Sequence, residues 1–170
     1  MAVLPIVKYG ADVLRRPTEI VTDIDAALQK LIDDMVDTMH AAPGVGLAAN
    51  QIGVSRRLAV IDLSVGKRPH EVIVLINPEI VETEGEVTED EGCLSIPDFT
   101  EVVTRPARVK ARFLDRNGAA REMWGEGLMA RALSHETDHL GGNLFVDRLR
   151  GFKKERLLKK IQKLSKAGMW

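Results

Sequence analysis

Residues 128–140 carry apolar side chains on two adjacent helical stripes, and that constrains the chain more than any other feature. Leu128, Ala132, His135 and His139 share one face at steps of four, three and four, while Met129, Leu133, Glu136 and Leu140 form the next. A helix apolar on two neighbouring stripes is largely buried, so the rest of the fold has to be built around it. Gly125 and Gly127 precede this segment and Gly141-Gly142 end it. Burying the helix also buries His135 and His139, which then need partners. One reading is a pair of core histidines satisfied by hydrogen bonds. The other is a metal grip, because histidines four apart project in the same direction, about one turn apart. The segment reads His135-Glu136-Thr137-Asp138-His139, and a glutamate between such histidines can act as a base on metal-bound water.

The single cysteine, Cys93, lies in Glu91-Gly92-Cys93-Leu94-Ser95, 42 residues before His135. A free cysteine is often just a small buried hydrophobe. Joined to the two histidines, it would complete a three-ligand site with a position left for water, the arrangement of a catalytic metal. Ligand type and number suit zinc. His40 and His70 fall at a helix end and in a loop and receive no role.

The remaining chain reads as α+β. Ile24, Leu28, Leu31, Ile32, Met35 and Met39 recur at helical spacing over 24–40, with Thr22 as the expected N-cap. Residues 57–63 and 72–76 are strand-like, and 79–88 alternates as an exposed strand. Segments 101–115 and 119–124 flank Asn117-Gly118, a strong hairpin signal. Residues 152–166 form an amphipathic helix with Phe152, Leu157, Leu158, Ile161 and Leu164 on its apolar side. Strands cluster centrally and do not alternate with helices, so antiparallel or mixed sheets packed around the central helix, with an N-terminal and a C-terminal helix, are expected.

At 170 residues one domain spanning 1–170 is expected, and 45% hydrophobic content supplies a full core. Aromatics are only 4%, so that core has to be aliphatic. No apolar run approaches the roughly 18 residues that span a bilayer. The start, Met1-Ala2-Val3-Leu4-Pro5, lacks the basic and apolar stretches of a signal peptide, and a lone cysteine forms no intrachain disulfide. A soluble protein of a reducing compartment is expected. Charge is uneven: residues 71–101 hold ten carboxylates and no Lys or Arg, while residues 148–170 hold nine basic side chains against Glu155 alone. The tail is either a solvated helix or a surface for a polyanion.

Three separated motifs, in order, carry a resemblance over essentially the whole chain. Gly44-Val45-Gly46-Leu47-Ala48-Ala49-Asn50-Gln51, Glu91-Gly92-Cys93-Leu94-Ser95 and His135-Glu136-Thr137-Asp138-His139-Leu140 together resemble the signatures of bacterial-type peptide deformylases with an extended C-terminal helix. The resemblance implies a metal-dependent hydrolase that removes the formyl group from N-terminal formylmethionine of new polypeptides and releases formate. It implies that Cys93, His135 and His139 hold one divalent ion. Ferrous iron is the expected physiological metal, and nickel, cobalt or zinc can substitute. It makes Glu136 the acid and base, and gives the Gln51 amide and the Leu94 N–H the task of stabilising the oxyanion. Val45, Leu128 and Ala132 would line the methionine pocket, with the stem of Arg131 as a further wall. Backbone at Val45, Gly46, Gly92 and Leu94 would pair with the peptide. Glu91 and Arg105 would form an ion pair bracing the cysteine loop. Ser134 stands where the family usually has Gln, next to a ligand but not one itself. The family also implies a cytoplasmic setting, bacterial or in an organelle, with no membrane and no specific DNA binding. It further implies docking of the basic 151–170 helix near the ribosomal exit tunnel.

Two rival readings fit the same residues less well. A metallopeptidase would need a third ligand after His139, where only Asp147 and Glu155 offer carboxylates. A non-enzymatic ribosome- or peptide-binding metalloprotein would have no use for Glu136 and Gln51.

Overall fold

The structure, a computed structural model, describes residues 2–166. Helix α1 spans Ala26–Ala41 and begins at Asp25, whose carboxylate accepts the Leu28 N–H. The cap therefore lies three residues beyond the expected Thr22. Asp25 places its oxygen over the first turn, as an N-cap must.

Five strands form one sheet in the order β1-β2-β3-β6-β7, every neighbouring pair antiparallel. They are β1 (Gly46–Ala48), β2 (Leu58–Ile61), β3 (Ile73–Glu84), β6 (Arg108–Leu114) and β7 (Ala120–Glu126). Strands β4 (Val87–Cys93) and β5 (Ile96–Arg105) pair only with each other, as a separate hairpin.

Two strand expectations need correction. Segments 72–76 and 79–88 do not form two strands. Asn77 takes a left-handed conformation (φ 53°), and its side-chain amide pairs with both the N–H and the carbonyl of Val21. The strand is thus carried through the irregularity, and β3 continues to Glu84. The chain turns at Gly85, whose φ of 65° suits a residue without a Cβ. The single stretch 101–115 is likewise divided: β5 stops at Arg105, where Pro106 offers no N–H to a ladder. The Asn117-Gly118 hairpin between β6 and β7 is observed as expected, with Gly118 at φ 85°.

Side chains alternate across the sheet because successive strand residues face opposite sides. Leu47, Leu58, Val60, Val74 and Ile76 face α1, meeting Leu28, Ile32, Met35 and Met39. Ala48, Ala59, Ile61, Leu75, Val109 and Ala111 face the other way, onto helix α2 (Leu128–Leu140), through Ala130, Leu133 and Leu140. The motif helix is thus pressed on a sheet and has the expected bounds. A third cluster joins Ile96 and Val103 of the hairpin to Leu144, Phe145 and Val146, and to Leu157 and Ile161 of helix α3 (Phe152–Lys166). Phe152 departs from expectation. It lies at the first position of α3 and is 85% exposed, outside that cluster. Residues 167–170 of the expected basic segment lie outside the described residues.

Candidate metal centre and active site

Helix α2 presents His135 and His139 toward the hairpin that carries Cys93. One ligand atom from each of the three lies within 4.8 Å of the others. The two Nε2 atoms are 3.0 Å apart, and Cys93 Sγ is 3.2 Å from His139 Nε2. Two imidazole nitrogens and a sulfur converge on one point, within reach of a single cation. The donor set therefore fits a divalent metal, with two nitrogens and one sulfur and no fourth protein ligand. Among the described residues this is the only such group, and it recruits neither Asp147 nor Glu155. Asp147 is engaged by Arg15.

The two histidines are electrostatically distinct. Burial pulls His135 down, but Glu136, Cys93 and Glu91 outweigh it and hold the imidazole well above its usual pKa. Burial, reinforced by His135 and Arg105, lowers His139 well below its usual value, so its ring stays neutral. His135 Nδ1 meets Glu91 Oε2 at 2.7 Å, which leaves Nε2 turned to the site.

Glu136 is 3% exposed, and its Oε1 is buried with no hydrogen-bond partner. Burial pushes its carboxyl up to about 7, against the opposing pull of His135. A carboxylate of that basicity can accept a proton near neutral pH. Gly46 makes room for it: a Cβ there would lie 2.5 Å from Glu136 Oε2. Glycine at 44 serves Leu94 in the same way, since its Cβ would meet Leu94 Cδ1 at 2.9 Å. The glycines of the first motif thus admit the cysteine loop and the glutamate. Gly46→Ala should cut activity by at least about 10² through displacement of the base, the usual scale of general acid–base catalysis, with thermal stability little changed. Wild-type turnover by a folded G46A protein would contradict this steric role.

Gln51 is 1% exposed on the 3₁₀ turn Ala49–Ile52, just after β1. Its Oε1 accepts the Ala48 N–H at 2.9 Å, which orients the amide. Its Nε2 then reaches Ser95 Oγ at 3.2 Å and Cys93 Sγ at 3.6 Å. The amide donor therefore points at the ligand cluster. The Ser95 N–H also approaches the sulfur, at 3.4 Å.

A cavity of about 660 Å³ opens over this group. Val45, Gly46, Gly92, Leu128 and Ala132 all line it, together with Gln51, Cys93, Leu94, His135 and Glu136. His139 is buried and is not among the lining residues. Leu128, one of the lining residues, is half exposed. Strand β1 is an edge of the five-stranded sheet, so its outer backbone can accept an added peptide strand.

Sequence reasoning missed several supporting groups. Asn50 donates its amide to the His139 carbonyl at 2.6 Å and anchors the last turn of α2. Ser134 accepts from Arg105 Nη1 at 2.9 Å, so this position supports the ion network beside the ligand. Arg131 does more than lend its stem: its guanidinium is buried against Glu91. The available signal was its place one turn before His135, beside the buried stripe, because buried arginine needs a partner. The Glu91–Arg105 pair is present and bidentate, with both contacts at 2.6 Å.

The chain resembles known proteins in both sequence and fold. A family model described as polypeptide deformylase matches residues 3–155. The chain is 49% identical over 170 residues to the peptide deformylase of Acidobacterium capsulatum, covering all of both chains. It superposes on the crystal structure of a peptide deformylase from Legionella pneumophila with TM-score 0.91 at 45% identity, over 99% of this chain and 98% of that one. Another similar structure is a peptide deformylase from Synechococcus elongatus in complex with actinonin. There the TM-score is 0.86 at 40% identity, over 94% and 86% of the two chains.

Proposed function

The chain belongs to the polypeptide deformylase family, and we propose that its three convergent motifs perform that family's reaction through the residues described above. The enzyme is a metal-dependent hydrolase that removes the N-formyl group from N-formylmethionyl peptides. The observation that carries the residue assignment is the convergence of Cys93, His135 and His139 beside the unpartnered carboxylate of Glu136. Those three side chains are the ligands. They would hold one divalent ion, which when bound would supply Lewis acidity near neutral pH. Glu136 takes the proton from the attacking water and returns it to the departing amine. The Gln51 amide and the Leu94 N–H donate to the oxygen on which charge develops. Each such donor contributes about 10²–10³ in rate. Val45, Leu128, Ala132 and the stem of Arg131 receive the methionine side chain. Backbone at Val45, Gly46, Gly92 and Leu94 pairs with the peptide.

Ferrous iron is the proposed native ion, with nickel, cobalt or zinc able to occupy the same ligands. The measurement is formate release from formyl-Met-Ala-Ser by anaerobically purified protein loaded separately with each ion. Release with iron or nickel supports the reading. No release with metal stoichiometrically bound would remove it.

Residues 1–170 form the proposed catalytic unit, with 151–170 as a basic C-terminal extension, in a bacterial-type or organellar cytoplasmic setting. Among the described residues no helix is long and apolar enough to cross a membrane. Helix α3 buries Leu157 and Ile161 and leaves its lysines outward, which supports association with the ribosome near the exit tunnel. Binding through Lys153, Lys154, Arg156, Lys159, Lys160, Lys163 and Lys166 should weaken steeply with salt. Unchanged ribosome association after deletion of 151–170 would exclude that role.

A further inference from the structure

The ligand set is divided between two bodies of the protein. His135 and His139 ride on α2, whose apolar side packs against the five-stranded sheet. Cys93 ends β4 in the separate hairpin, and it packs with the cluster that joins this hairpin to Phe145 and α3. The hairpin backbone lies against the Phe145–Arg148 turn. Side chains are what tie it to α2, and the spacing of sulfur from nitrogens depends on that tie.

We infer that Arg131 is a positioning residue that sets the placement of Cys93 against the two histidines, by pegging helix α2 to both strands of the cysteine hairpin. It stands one turn before His135 and is 7% exposed. Its Nη1 donates to Glu91 Oε1 at 2.8 Å. Its Nη2 donates to the carbonyls of Val87 on β4 at 3.1 Å and Val103 on β5 at 3.2 Å. Glu91, two residues before Cys93, thereby accepts four hydrogen bonds. Arg105 supplies one to each oxygen, Arg131 completes Oε1 and His135 Nδ1 completes Oε2. Arg105 is rooted in the hairpin and reaches α2 at Ser134 and Asp138. Arg131 runs in the opposite direction, from the helix to the hairpin, and holds both strands at once. Only a forked guanidinium can serve a carboxylate and two carbonyls together; a lysine is a single point charge.

The inference rests on reading Cys93, His135 and His139 as metal ligands. Its test is Co²⁺ binding by Arg131→Met and Arg131→Lys beside wild type. The readouts are affinity from chelator competition, the thiolate-to-cobalt absorption band, and the thermal midpoint of each metal-free protein. Removing a nearby positive charge would by itself tighten cation binding, so the sign separates the explanations. Loss of a positioning residue should weaken Co²⁺ binding about 10- to 100-fold in R131M and diminish or shift the thiolate band. R131K should recover only part of the loss. Unchanged or tighter binding in folded R131M would overturn the inference. Should R131M fail to fold, R131K decides: wild-type affinity and band in that variant would overturn it equally. Formate release is measured separately. Weakened cobalt binding alongside a wild type that releases no formate would uphold Arg131 and sink the deformylase assignment instead.

Discussion

Glu136→Gln should lower formate release by about 10³–10⁴ at saturating metal, the upper range for a general acid and base, because both proton transfers pass through this one carboxylate. Glutamine keeps the volume and the burial, so substrate binding and the bound ion should be retained. The stability consequence has a definite sign. Burial raises Glu136 from its ordinary value of 4.5 to about 7 in the folded protein. A raised carboxylate costs the folded state stability as pH climbs between those values, and that loss persists above them. Substituting an uncharged amide removes this cost. Metal-free E136Q should therefore melt no lower than wild type at pH 8, while its turnover collapses. Retention of more than a tenth of the wild-type rate would remove Glu136 from the role of base. A lower melting temperature at pH 8 would mean that its carboxylate is structural.

Arg105→Ala should be the most destabilising single change near the site. Arg105 is 1% exposed and holds Glu91 with two contacts, Asp138 at 2.9 Å and Ser134 at 2.9 Å. Breaking one partner out of a buried ion network typically costs about 3–5 kcal/mol. Arg131 and His135 still serve Glu91, which places the expected loss toward the lower end of that range. For a chain of this size each kcal/mol lowers the melting temperature by about 2–4 °C, so a fall of roughly 6–12 °C is expected by calorimetry. Acid should expose the same network in the wild type. Burial alone would raise Glu91, but Arg105 and His135 overcome it and hold the carboxyl well below its ordinary 4.5. That stabilisation is complete above 4.5 and drains as pH falls toward the depressed folded value. R105A should show a shallower loss of stability below that point. Equal melting temperatures for R105A and wild type at pH 7 would mean that the pair contributes nothing net.

The motif helix, the final helix and the Asn117-Gly118 hairpin were all legible in advance. Each is written in short-range terms: apolar spacing of three and four, glycines just past a helix end, a turn dipeptide between strand formers. Expectations failed where a side chain overrode the local pattern. Asn77 supplied hydrogen bonds that let β3 run through an apparent break, and Pro106 divided a stretch that reads as continuous. Thr22 looked like a cap, yet Asp25 held the geometry. Phe152 matched the apolar spacing of α3 but lies outside the buried cluster.

The candidate site divides along the same line. Residue types and the four-residue spacing of His135 and His139 determined a possible metal grip, because helix geometry alone places those side chains together. Only the tertiary structure decided that Cys93, 42 residues earlier and rooted in a different hydrophobic cluster, would meet them. The same holds for the need for glycine at 46, which comes from a carboxylate ninety residues later, and for Arg131, whose partners lie on two strands of another sheet. Local backbone sterics act between neighbours and can be read along a chain. The approach of two separately packed bodies is set by how their cores and the ion network between them fit, and no short stretch of sequence contains both sides of that contact.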